Sequence, residues 1–148
     1  MRESIKGSRT EKNLMIAFAS EAMAVSRYRY FADAAGQEGH EKISGIFLGV
    51  ASDEESHARI FYGFFEGGNV EVSATFPAVA VTDTGSNLEA AIRGERATGT
   101  IRYVDFERTA REEGFTQIAD IFRGIAISEK THEKRFEEIL GDLKNPEI

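Results

Sequence analysis

Residues 38–61 read EGHEKISGIFLGVASDEESHARIF, and residues 113–136 read EGFTQIADIFRGIAISEKTHEKRF. The two segments align without a gap at an offset of 75, with Glu, Gly, Ile, Ile, Phe, Gly, Ala, Glu, His and Phe at matching places. A helix–turn–helix unit used twice restricts the chain to folds with two equivalent halves. In each half the apolar residues step by three and four: Ile43, Phe47, Val50, Phe61 and Phe64 in the first, Ile118, Phe122, Ile125, Phe136 and Ile139 in the second. That spacing predicts helices with one seam turned to a bundle core. The segment before each copy carries the same signature, first in Leu14, Phe18, Val25 and Tyr28, then in Leu88, Ile92, Tyr103, Phe106 and Ala110. Pro77 and Pro146 are the only prolines, which leaves room for four long helices.

The connections set the topology. Short turns at Gly36–Gly39 and near Gly114 make helices one and two, and three and four, antiparallel neighbours. Between the halves lies GGNVEVSATFPAVAVTDTGSN (67–87), long for a connection inside a compact domain. Such a segment can run the length of a bundle and leave helices two and three parallel. The expected architecture is therefore all-α: one ferritin-like four-helix bundle over residues 1–148, with a long crossover between helices two and three. Upstream of the aligned copies the offset drops to 74, pairing Glu21 with Glu95. The third helix thus carries one extra residue between Glu95 and Gly114, which predicts a π-bulge, placed at the low-propensity TGT of 98–100.

The repeat also duplicates Glu-x-x-His, as Glu54 and His57 and as Glu129 and His132. One such pair alone is usually a solvated helix face. Here both pairs fall on the apolar seam, in the series 47, 50, 54, 57, 61 and 122, 125, 129, 132, 136. Glu21 interrupts the seam of helix one and Glu95 that of helix three. Four inward carboxylates without counter-charge would each cost several kcal/mol. Two divalent cations would balance them, and one Glu from each of two helices plus Glu-x-x-His from each of the others is a known di-iron and di-manganese bundle pattern. A metal-free network of Glu–His pairs is the alternative, and it leaves most carboxylate acceptors unpaired. Asp53, Glu55 and Ser56 fall on the solvent side. Tyr28 and Tyr103 point into the same core, where their hydroxyls need partners such as the carboxylates. His40 opens helix two in a polar setting, which predicts a surface or capping role. Arg27 and Arg29, in SRYRYF, are expected in surface ion pairs.

Composition narrows the function classes. The formal charge of −7 opposes a nucleic-acid partner. The absence of cysteine removes thiol nucleophiles, disulfides and iron–sulfur centres, and accords with a cytoplasmic location. The polar start, MRESIKGSRTEKN, has no signal-peptide core, and no apolar run approaches the ~20 residues of a membrane span.

The chain resembles the rubrerythrins in KGSRTEKN, AFASEAMAVSRYRYFA, FFEGG, AREEGF and SEKTHEKRF. The resemblance implies a ferritin-like bundle holding two irons, often in a homodimer, that reduces hydrogen peroxide to water. It implies that Glu54 and Glu129 bridge the metals, that Glu21 and His57 serve one iron, and that Glu95 and His132 serve the other. Tyr28 and Tyr103 occupy the family's tyrosine positions behind those ligands. Typical members also carry a rubredoxin domain with four cysteines, so a separate rubredoxin-like electron donor is expected here. In GERATG (94–99) the family's usual Glu-x-x-Glu ends instead in Thr98, where the seventh carboxylate that receives the mobile iron is missing. The six-ligand set that remains resembles that of bacterioferritins. A ferroxidase-type oxidase acting on dioxygen, or a non-catalytic bundle holding manganese or zinc, are the alternatives to a peroxidase.

Overall fold

The structure is a computed structural model and describes residues 3–146. Helix α1 (Arg9–Gln37) pairs with α2 (Glu41–Tyr62); α3 (Thr84–Arg96) continues through a π-helical segment (Ala97–Arg102) into α4 (Tyr103–Glu112), and this composite third helix pairs with α5 (Thr116–Lys144). The result is the four-helix ferritin-like bundle, with no strand among the described residues. Residues 63–83 connect α2 to α3 without helix, and Arg102 holds this connection through the carbonyl of Thr75 at 2.9 Å and the ring of Phe76 at 5.1 Å. The π segment brackets the predicted TGT. It accommodates the extra residue that drops the repeat offset from 75 to 74 while keeping both ends of the third helix on the core.

The helix ends repeat as the sequence does. Ser8 caps α1 by accepting from the Glu11 amide at 2.9 Å, and Asp83 caps α3 by accepting from Ser86 at 2.9 Å. Gly39 and Gly114, both at φ +84°, end α1 and α4. The following amides, of His40 and Phe115, reach back to Ala35 and Ala110 at 2.8 Å, the bond a left-handed glycine makes available. His40 takes the N-cap position of α2, but its side chain makes no capping bond. Beside each glycine a glutamate ties one half to the other. The Glu113 carboxylate accepts from the amide and hydroxyl of Thr10 at 2.8 and 2.6 Å, and Glu38 accepts from the amide and hydroxyl of Thr84.

The apolar core is in two parts. One holds Leu14, Phe61, Tyr103, Phe122 and Ile125; the other holds Tyr28, Phe31, Phe47, Leu88 and Phe136. Phe18, Ile43, Phe106 and Ile139 stand half-buried at their edges. Between the two parts every helix of the bundle contributes a buried glutamate.

Candidate metal centre

Glu21 from α1, Glu54 and His57 from α2, Glu95 from α3, and Glu129 and His132 from α5 are all buried, the four glutamates to within 2 %. Each reaches its place because it falls on an apolar seam, one or two turns from fully buried neighbours such as Phe61 or Phe136. Their ligand-type atoms converge in two overlapping groups. Glu21, Glu54, His57 and Glu129 offer atoms within 4.8 Å of one another, and so do Glu54, Glu95, Glu129 and His132. Glu54 and Glu129 belong to both groups. His57 Nδ1 lies 3.1 Å from Glu129, 3.4 Å from Glu54 and 3.7 Å from Glu21; His132 Nδ1 lies 3.2 Å from Glu54 and 3.6 Å from Glu95.

Among the described residues, the six each leave one buried atom without a hydrogen bond: Glu21 Oε2, Glu54 Oε1, His57 Nδ1, Glu95 Oε2, Glu129 Oε1 and His132 Nδ1. A buried acceptor without a partner costs about 1–3 kcal/mol, and six together make a donor set of four carboxylates and two imidazoles. That set suits divalent transition metals, since imidazole nitrogens disfavour magnesium and calcium. The residues therefore fit a two-metal centre.

Hydroxyl groups hold three of the carboxylates. Tyr28 donates to Glu95 Oε1 at 2.7 Å and Tyr103 donates to Glu21 Oε1 at 2.9 Å, each tyrosine serving the glutamate of the other half. Burial, reinforced by the same glutamates, raises both phenols well above their ordinary value, so they remain donors. The Thr98 hydroxyl lies 3.2 Å from Glu129 Oε2 and 3.1 and 3.2 Å from the carbonyls of Gly94 and Glu95. Crowding of like charges shapes the protonation. Burial lifts Glu21 to about 8, and burial with the neighbouring Glu95 and Glu54 lifts Glu129 well above its usual range. Burial also works against Glu54, but the adjoining imidazoles of His132 and His57 outweigh it and bring the group down to about 2. Both imidazoles lose to burial and gain more from their carboxylates: Glu21 and Glu54 raise His57 to about 9, and Glu54 and Glu95 raise His132 to about 11.

The surface expectations turn out unevenly. Asp53 is on the solvent side as expected, 61 % exposed, and in addition turns its carboxylate to His132 Nε2 at 3.0 Å. Its distance from the seam hides this contact, because a short side chain can reach an imidazole at a helix–helix boundary from off the core face. Arg27 and Arg29 form no ion pair among the described residues; the Arg27 guanidinium lies 5.8 Å over the Tyr28 ring. It also lines, with Ser20, Gly94 and Thr98, a cavity of about 10 Å³ against the glutamates. His40 is half-buried away from the centre.

The rubrerythrin family model matches residues 12–140. Rubrerythrin of Porphyromonas gingivalis is 46 % identical over 148 residues, all of this chain and 74 % of the relative. Rubrerythrin of Nitratidesulfovibrio vulgaris is 44 % identical over 146 residues, 99 % of this chain and 76 % of the relative. Among solved structures, fully reduced, all-ferrous nigerythrin superposes with a TM-score of 0.83 at 27 % identity, covering 98 % of this chain and 75 % of the other. Symerythrin from Cyanophora paradoxa shares the fold at a TM-score of 0.82 and 20 % identity, over 99 % and 92 % of the two chains. A model match across nearly all of the bundle and identities above 40 % over the full chain lead to one conclusion: the chain belongs to the rubrerythrin family.

Proposed function

We propose that the chain is a non-haem di-iron peroxidase that reduces hydrogen peroxide to water. The observation that carries this reading is the convergence of six buried, unpartnered ligand atoms in two groups sharing Glu54 and Glu129. Glu54 and Glu129 would be shared by the two metal positions, Glu21 and His57 would complete one, and Glu95 and His132 would complete the other. When bound as two Fe(II), iron would supply the two electrons that, with two protons, reduce one peroxide to two waters. The protein does the rest. Tyr28 and Tyr103 each hold one oxygen of Glu95 and Glu21, which fixes the orientation of those carboxylates at the centre. The aromatic layers on either side keep bulk water from the carboxylates. The cavity beside Thr98 and Arg27 is water-sized, which supports a small oxidant and opposes an organic substrate.

A rubredoxin-like electron donor is part of this reading; these 148 residues themselves contain no cysteine. The reading includes a cytoplasmic homodimer; the exposed Met23, Tyr30 and Tyr62 on α1 and α2 support the pairing of copies. No described helix is long and apolar enough to cross a membrane.

Thr98 favours a second reading. With a hydroxyl where relatives are expected to carry a carboxylate, six ligands remain, the number a ferroxidase uses with dioxygen. One experiment separates these. The protein is loaded with Fe(II) without oxygen, its metal content is measured, and its oxidation by peroxide and by dioxygen is followed by stopped flow. Faster two-electron oxidation by peroxide supports the peroxidase. Preference for dioxygen replaces it with the ferroxidase, and a protein that takes up no iron is neither.

A further inference from the structure

The duplicated halves turn both imidazoles inward by Nδ1 and give them unequal outer contacts. His132 turns Nδ1 inward, and its Nε2 meets the Asp53 carboxylate of α2 at 3.0 Å. His57 also turns Nδ1 inward, but its Nε2 has no hydrogen-bond partner among the described residues. The repeat explains the difference. Asp53 precedes Glu54 on α2, and the residue preceding Glu129 on α5 is Ser128, shorter and uncharged.

An ionised carboxylate can only accept a hydrogen bond, so the Asp53 contact requires the hydrogen on His132 Nε2 and leaves the Nδ1 lone pair for a metal. A carboxylate behind a ligating imidazole fixes its ring orientation and makes the nitrogen facing the metal a stronger donor. His57 receives neither effect. We propose that Asp53 is a positioning residue for His132, and that its absence behind His57 makes the two metal positions unequal, with the His132 side filled first and held more tightly. This rests on the six-ligand reading above and adds an order of loading to it. It also assigns a role to a side chain that the helical pattern leaves on the solvent face.

The test uses the full chain, with Zn(II) as a diamagnetic probe, in chelator-competition calorimetry and imidazole 1H–15N NMR. The wild type is expected to bind two ions in two resolved steps, the first shifting the His132 resonances and the second those of His57. The His132 Nε2 hydrogen should exchange slowly with water and the His57 hydrogen fast. Asp53→Ser should weaken the first step roughly 10–100-fold, bring the two steps together and release the slow hydrogen. Asp53→Asn, whose side-chain oxygen can still accept, should restore the slow exchange and much of the affinity. Because Asp53 is 61 % exposed, helicity and melting of the metal-free variants should match the wild type, so a folding defect does not mimic the effect. A wild type that binds two ions in equal steps, or an Asp53→Ser variant with unchanged steps and exchange, overturns the proposal while the ligand set stands. A wild type that binds no Zn(II) at this centre removes the ligand set itself, and this proposal with it.

Discussion

Tyr28 and Tyr103 each complete a carboxylate that arrives from the opposite half of the chain, and among the described residues neither has another hydroxyl partner. Replacing either with Phe keeps the ring and removes only the hydrogen bond, leaving Glu95 Oε1 or Glu21 Oε1 buried and unpaired. The expected cost is about 1–3 kcal/mol of stability per variant, read by urea unfolding of the chelated protein. A loss below a few tenths of a kcal/mol would mean that the carboxylate finds another donor. These tyrosines were legible in the sequence because they share the seam with the glutamates. Asp53 was not, because periodicity reports which face a Cβ leaves from and is silent on where a side chain at the boundary ends. Thr98 yields a second expectation. Its hydroxyl is engaged by Glu129 and two helix carbonyls, so no carboxylate stands ready to draw a metal away from His57. In crystals of the iron-loaded protein, His57 should remain a ligand in both oxidised and reduced states. Thr98→Glu should let the oxidised state leave His57, and a wild-type oxidised structure with His57 already released would sink the idea.

The π segment is the element on which the centre's geometry turns. It lets Glu95 keep the register of Glu21 while Tyr103 keeps the register of Tyr28, one residue out of step. Gly99, buried within it, lies against α5 beside Glu129. A Cβ there would stand 3.0 Å from the Ala126 carbonyl and the Glu129 Cβ, and 3.2 Å from the Lys130 amide. Elsewhere in a helix Gly→Ala is favourable by roughly 0.5–1 kcal/mol. Here two of the three neighbours are backbone and yield little, so Gly99→Ala should reverse that sign and destabilise by about 1–3 kcal/mol. Metal stoichiometry should drop with it, since Glu129 must move. A variant more stable than wild type would show that α5 can retreat. The existence of this element followed from a single-residue change in repeat offset, but its six-residue extent did not. A one-residue insertion fixes how much must be absorbed and leaves open over how many turns packing spreads it. The start of α3 was hidden for a similar reason. Gly85 and Ser86 read as loop residues, while the side chain that sets the boundary is the Asp83 cap before them.

At the scale of the whole molecule, two apolar cores are kept apart by a layer of four carboxylates and two imidazoles, and either protons or metal ions must balance that layer. In the chelated protein protons do so. Glu21 is raised from 4.5 to about 8, His57 from 6.5 to about 9 and His132 from 6.5 to about 11. A group whose pKa rises on folding binds its proton more tightly in the native state. Its stabilisation is therefore full below the unfolded value and disappears as pH climbs through the folded one. The chelated protein should accordingly melt at progressively lower temperature from pH 6.5 to 9. Glu54, depressed to about 2, acts at the other end: its contribution is present above 4.5 and is lost as pH falls toward 2. Metal ions compete with the same protons, because a ligand must be deprotonated to bind. The increase in melting temperature produced by saturating Mn(II), chosen because it does not oxidise readily under these conditions, should therefore grow across the window in which the chelated protein weakens. Parallel calorimetric melts at pH 6.5, 7.5 and 8.5 with Mn(II) and with chelator measure both slopes. An Mn(II) increment that stays flat or shrinks with rising pH would mean that the protons lost on unfolding are not those the metal displaces, and the layer would then be balanced by something other than its own six side chains.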